Sequence, residues 1–301
     1  MLYDCVIVGG GFAGLQAAIQ LGRYRHHVAV IDAGEGRSSI CKNYHNLIGF
    51  PDGISGAELL ASGKSQAKRF GTAFIQAKVI HAERDGEAWK LTTSDNQSFR
   101  GKRLLLATGV KDRLSDFRML IPCMGNSVFV CPDCDGYEVS GKPTLVLGAG
   151  NAGARMALTL THWTSELIYV NHERVLVDDE LRVQLEEHGI PCIEQMVRDV
   201  ILSEEQFKGI VLDDGTVINR SRCFIAFGGN EVRSDLARQL GVELMENKHI
   251  RIDPRTKLTS VKHVWAAGDV AGHSEMVTIA MGDGSQAAIW IHKSLITASK
   301  G

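Results

Sequence analysis

One unit occurs twice in this chain: an apolar strand, a glycine-rich turn, an alanine-rich helix and a following strand. The first copy, "YDCVIVGGGFAGLQAAIQLGR" leading on to "HVAVID", sets Gly9, Gly11 and Gly14 in G-x-G-x-x-G spacing. The second, "KPTLVLGAGNAGARMALTLTHW" followed by "SELIYVN", repeats the spacing with Gly148, Gly150 and Gly153. Glycine is required there for a tight turn, for close approach of the backbone to a pyrophosphate, and for close helix–strand packing. The helix amino terminus then presents unpaired N–H groups and the positive end of its dipole to the phosphates. Asp32, 18 residues past Gly14, closes the next strand, where a carboxylate can accept the ribose hydroxyls. Asn171 stands at the same offset from Gly153, with Glu173 two residues later. Two such units make this an α/β chain with parallel sheets between helices.

The remaining pattern fits around them. Residues 54–70 read as a helix, and 73–106 alternate as strands about a turn at Ser94-Asp95-Asn96. A helix at 178–188 precedes strands at 208–212 and 216–218, which turn at Asp213-Asp214-Gly215, and a strand at 222–226. A closing helix of roughly twenty residues begins near Ser274. The expected plan is two three-layer nucleotide-binding domains, the second inserted into the first. Residues 1–112 and 231–301 form one, and 113–230 the other; the crossings at 110–116 and 228–233 are candidate hinges.

Bulk properties exclude several classes. Formal net charge is −2, which offers no attraction to nucleic acid or an anionic membrane. No apolar run nears the ~18 residues of a spanning helix. The amino terminus has no basic segment or cleavage site of a signal peptide, so a cytoplasmic location is expected. Seven scattered cysteines do not form a secreted disulfide framework.

Two of those cysteines, Cys131 and Cys134 in "VFVCPDCDGYEV", stand in C-x-x-C spacing. Zinc needs four ligands, and no second C-x-x-C or spaced histidine pair exists, so no metal is expected. Two intervening residues allow the sulfurs to join in a reducible disulfide, and the neighbours Pro132, Asp133, Asp135 and Gly136 fit inert packing poorly. Cys5, Cys192 and Cys223 read as buried inert thiols.

"CPDCDG", "LLLATGV" at 104–110 and "VWAAGDVAG" at 264–272, in this order with the glycine loops, resemble the low-molecular-weight thioredoxin reductases over nearly the whole chain. The resemblance implies two Rossmann-like domains, a homodimer, and FAD on the first glycine loop. It gives the flavin Gly9, Gly11, Gly14, Asp32, Asn46, Thr108, Gly109, Gly268, Asp269, Gln286 and Ala287. It makes Cys134 the flavin-proximal sulfur, Cys131 the thiol that attacks a protein disulfide such as thioredoxin, and Asp135 a general acid. Domain rotation would present the pair alternately to flavin and substrate. The family's Arg-Gln pair after Gly-Asp is absent, with Met276 and Val277 standing about there.

The donor stays open. The family grips the 2′-phosphate of NADPH with a basic stretch, where this chain reads "YVNHERVLVDDEL". A carboxylate at Glu173 repels a 2′-phosphate and suits a free ribose hydroxyl, while His172 and Arg174 could offset it. NADPH, NADH, reduced ferredoxin or a second FAD on the Gly148–Gly153 loop with Asn171 and Glu173 are the alternatives. Within the class, a small-molecule dithiol oxidase is the alternative, although Asp135 favours the reductase. From a different class, a non-catalytic redox-sensing flavoprotein is the competitor.

Overall fold

The apolar run ending in Val6-Ile7-Val8 is a strand buried on both faces, as the middle of a parallel sheet requires. In the computed structural model, which describes residues 1–272 and 274–298, it forms β1 (Leu2–Val8), with Cys5, Val6 and Ile7 fully buried. The chain continues through α1 (Phe12–Arg23), β2 (Val28–Asp32), α2 (Gly56–Lys68), β3 (Ala73–Gln76), β4 (Val79–Asp85), β5 (Ala88–Thr93), β6 (Ser98–Leu106) and β7 (Val110–Lys111). Next come β8 (Val128–Phe129), α3 (Pro132–Asp135), β9 (Thr144–Gly148), α4 (Gly150–Leu160), β10 (Leu167–Asn171), α5 (Asp179–Glu187) and β11 (Cys192–Ile193). Strands β12 (Val197–Ser203), β13 (Gln206–Leu212), β14 (Val217–Asn219) and β15 (Arg222–Ala226) follow. The chain closes with β16 (Glu231–Val232), α6 (Asp235–Gln239), β17 (Val264–Ala266) and α7 (Val277–Ala298).

These elements make two units. One holds Met1–Ser39, Gly56–Lys111 and the chain from Glu231 on; the other holds Ile40–Ser55 and Asp112–Asn230. In the first unit the parallel strands run β3-β2-β1-β6, with β17 against the end of β6, while β4 and β5 extend the sheet in antiparallel fashion. In the second unit five parallel strands run β11-β10-β9-β15-β8. The two sheets thus share one order: third strand, second, first, then the strand that returns. Each glycine loop leaves its first strand (β1 or β9) at the reversal of strand order, the place where open α/β sheets bind ligands.

Two sequence expectations need adjusting. Strand β12 lies in a stretch left unassigned, and pairs antiparallel with β13 through a turn at Glu204 and Glu205, both at positive φ (51° and 60°). That turn carries no glycine or asparagine, so the hairpin has no local signal. The segment 40–55, placed by sequence with residues 1–112, packs in the second unit, where Lys42 N–H donates to Met124 O (2.8 Å) and Tyr44 bridges Ile54.

Helix α7 lies along α1, and Gly284 makes this approach possible. A Cβ there would stand 2.2 Å from Ala13 O. At the unit boundary, β7 and β16 pair antiparallel, Val110 with Val232 and Lys111 with Glu231. No helix among the described residues is long and apolar enough to cross a membrane.

Candidate active site

The first glycine loop has the shape that a diphosphate needs. Gly9 sits at φ +106°, and a Cβ on it would fall 2.1 Å from Ala107 O; a Cβ on Gly14 would fall 2.0 Å from Gly9 O. Neither position tolerates a side chain. Gly11 differs, because the nearest atom to its absent Cβ is Ser38 Oγ at 3.7 Å. At the start of α1 the glycine face thus meets a serine hydroxyl at ordinary contact distance and no closer neighbour. Asp32 accepts the Gly10 N–H through Oδ1 (3.0 Å), which fixes the carboxylate at the loop and leaves it acceptor capacity for a ribose. Gly268, at φ +76°, would place a Cβ 2.8 Å from Ala13 Cβ, so glycine lets the 267–269 turn press on α1. Thr108 Oγ1 donates to Arg233 O (2.6 Å), and Gly109 turns at φ +68° into β7. These residues fit the ADP half of FAD.

Sequence reading missed Arg37. Its guanidinium donates to Asp269 Oδ2 (3.3 Å) and to Glu275 Oε2 (2.5 Å), three residues with mostly buried side chains. The acids lie more than 230 positions away in sequence, so no local pattern announces the cluster. Arg37 thus sets a cation beside Asp269, one of the residues expected at the flavin. Arg37→Met removes the guanidinium that both carboxylates hold. Charge-assisted bonds are worth about 1.5–3 kcal/mol, so FAD affinity should fall about tenfold to a hundredfold, measured by flavin release on dilution. An unchanged FAD content would refute this placement.

Gln286 and Ala287 are placed away from any turn. Both lie well inside α7; Gln286 Nε2 donates to Arg255 O (2.5 Å), and Ala287 is fully buried with its backbone in the helix. Gly284 of the same "GDGSQAA" run serves the α1–α7 contact. Asn46 is exposed and belongs to the second unit.

The cysteine pair lies at the start of α3. Pro132 fills the first helical position, where its missing N–H is no loss, and Cys131 is the residue before it at φ −120°. The turn brings Cys131 Sγ to 2.9 Å from Cys134 Sγ, and Asp135 N–H donates to Cys131 O at 3.0 Å. The hydrogen bond between the two sulfurs pulls the Cys131 thiol below its ordinary value, against the burial and the Asp135 and Asp133 charges that push it up. Burial drives Cys5, Cys41, Cys123, Cys192 and Cys223 the other way. Cys131 is thus shifted toward the thiolate, against the direction burial gives those five thiols. Burial, with Glu138 adding repulsion, raises Asp135 to about 7, so its proton is available near neutrality. Gly136 is fixed by packing: a Cβ would meet the Trp163 ring at 2.6 Å. Among the described residues no group of His, Cys, Asp and Glu could hold a metal.

The second glycine loop keeps the turn but is approached more closely at its central glycine. Gly148 and Gly153 are pressed against Ala226 O and the Tyr169 ring, as the fold demands. Gly150, at φ +50°, would place a Cβ 2.9 Å from Val175 Cγ1 and 3.3 Å from Leu176 O. Asn171 is fully buried, accepting Gly150 N–H (3.0 Å) and donating to Val175 O (2.7 Å). Glu173 accepts from Arg113 Nη2 (2.6 Å) and Ser115 Oγ (3.3 Å). His172 accepts Val197 N–H on Nδ1 (2.8 Å) with its ring edge-on to Phe117, and burial lowers its pKa. Arg174 pairs with Asp213 (3.1 Å). The hydrogen bond to His172 Nδ1 and the ion pair of Arg174 are thus made with Val197 and Asp213.

A family model for pyridine nucleotide-disulphide oxidoreductases matches residues 3–284. The thioredoxin reductase of Yarrowia lipolytica is 30% identical, with 96% of this chain and 97% of that protein covered. That of Aquifex aeolicus is 28% identical over 98% of this chain and 94% of its own length. Among solved structures, HlmI superposes with a TM-score of 0.89 at 30% identity, covering 99% of this chain and 94% of HlmI. A structure described as thioredoxin reductase TrxB of Bacillus anthracis gives 0.86 at 26% identity, covering 99% of this chain and 100% of that one.

Proposed function

The chain belongs to the pyridine nucleotide-disulphide oxidoreductase family and is an FAD-dependent disulfide oxidoreductase of the low-molecular-weight thioredoxin reductase type; from that premise we propose that Cys131 and Cys134 pass electrons to a protein disulfide such as that of thioredoxin. The observation that carries this reading is a sulfur pair 2.9 Å apart, with a lowered thiol at Cys131 and a raised carboxyl at Asp135 next to it.

Cys131 thiolate attacks one sulfur of the substrate disulfide, forming a mixed disulfide and releasing the other substrate sulfur as a thiolate. Asp135 gives that thiolate its proton, as a general acid with a pKa near ambient pH can. Cys134, already in contact, loses its proton and attacks Cys131 Sγ. The mixed disulfide breaks, the second substrate thiol leaves, and Cys131–Cys134 becomes a disulfide. FAD, when bound, supplies the electron pair that reopens it. Gly9, Gly11, Gly14 and Asp32 are the residues that would hold its ADP half, with Asp269 and Arg37 beside them.

The test uses FAD-loaded protein reduced with dithionite and freed of reductant. Mixed with oxidised thioredoxin, it should generate thioredoxin thiols while flavin absorbance returns. Reduction of a small aromatic disulfide without any thioredoxin thiols would remove thioredoxin from the reading.

A further inference from the structure

Within one chain, two glycine loops of the same design offer a direct comparison, and only the second has a side chain pressed onto its central glycine. Beyond β2 the chain is small and glycine-rich (Ala33-Gly34-Glu35-Gly36), and the face of Gly11 meets nothing nearer than Ser38 Oγ at 3.7 Å. Beyond β10 the chain instead crosses the start of α4 and is fastened there at three points. Asn171 takes the Gly150 N–H, a donor that a diphosphate would otherwise use. Val175 covers the face of Gly150, with Cγ1 2.9 Å from where a Cβ would be. Asn151 and Asp178 then exchange two hydrogen bonds: Asn151 Nδ2 donates to Asp178 Oδ2 (2.7 Å), and Asp178 N–H donates to Asn151 Oδ1 (2.9 Å).

The electrostatics agree with the sterics. A nucleotide phosphate at this helix start would meet Asp178, itself held at the first turn of α4. The nearby cation Arg113 is already paired with Glu173 and also donates to Phe227 O (3.3 Å). No residue of "NHER" keeps a cationic group aimed at the loop.

We infer that the segment 171–178 closes the second glycine loop, so that this enzyme binds neither NADPH, NADH nor a second FAD there. The loop's glycines are retained for packing: Gly148 and Gly153 are each forced by a neighbour within 2.3 Å of a would-be Cβ, whatever the ligand. The flavin and the cysteine pair of the function proposed above remain, but their electrons do not enter as a hydride carried to this site.

The experiment is calorimetric titration of the FAD-loaded protein with NADPH, NADH and ADP-ribose, together with hydrogen exchange of 171–178 and a flavin-to-protein ratio. The expected results are no saturable binding at millimolar ligand, unchanged exchange in 171–178, and about one flavin per chain. Saturable binding of any of the three, ligand-dependent protection of the segment, or two flavins per chain would overturn the inference. The readouts do not depend on disulfide turnover. Failure here leaves the thiol chemistry standing, and failure of the thioredoxin test leaves this result untouched.

Discussion

Cys131→Ser is expected to abolish disulfide turnover, by about a thousandfold or more, while FAD stays bound. Serine keeps the size of the side chain at a half-buried position, so the turn into α3 and the Asp135 N–H to residue 131 O bond survive. What is lost is a sulfur able to ionise near neutrality and to exchange with a disulfide. Cys134→Ser should behave differently. Attack by Cys131 remains, resolution does not, and a covalent adduct with the substrate accumulates, visible as a mass increase reversed by excess thiol. Turnover unchanged in Cys131→Ser would remove Cys131 as the attacking group.

Asp135→Asn is expected to lower the rate about a hundredfold to ten-thousandfold, the range for loss of a positioned general acid. The pH profile gives the sharper signature. In the wild type the carboxyl sits near 7, because burial disfavours its charged form and Glu138 adds to this. The protonated form therefore falls as pH rises through about 7, and the rate falls with it. In Asp135→Asn that limb should vanish. Stability moves on the same axis. A carboxyl whose folded pKa lies above its ordinary 3.8 contributes fully below that value, and its contribution is lost as pH rises through about 7. Asp135→Asn should match the wild type in thermal midpoint near pH 4 and exceed it near pH 8. Equal midpoints at both pH values, with an unchanged rate profile, would make Asp135 an ordinary surface acid.

Local chemistry was readable from the chain. Gly14 and Gly153 are required by contacts with Gly9 O and the Tyr169 ring, each inside one strand–helix–strand unit, and such demands leave a fixed spacing. "CPDCDG" was readable for the same reason, since one turn of chain builds the sulfur pair and sets Asp135 beside it. The unreadable parts depend on residues distant in sequence. Arg113 meets Glu173 across sixty positions, and Arg37 meets Asp269 across 232. Asn171 stands at the position equivalent to Asp32, yet its amide bonds to Gly150 N–H and Val175 O, contacts that depend on how the chain from Val175 to Asp178 returns to α4. Gly284, in the same small-residue run as Gln286 and Ala287, packs α7 on α1, a contact between elements about 270 positions apart that no local spacing announces.

The central claim is that a flavin and the Cys131–Cys134 pair form a single electron relay in this chain. Each is a two-electron acceptor, so the most direct measurement is an anaerobic dithionite titration of oxidised, FAD-loaded protein followed by flavin absorbance and thiol count. Full reduction should take about twice the electrons needed for the flavin alone, and the Cys131→Ser variant should take about half the wild-type amount. If wild type and variant were to reach full reduction at the same flavin-only equivalence, the pair would not be part of the relay.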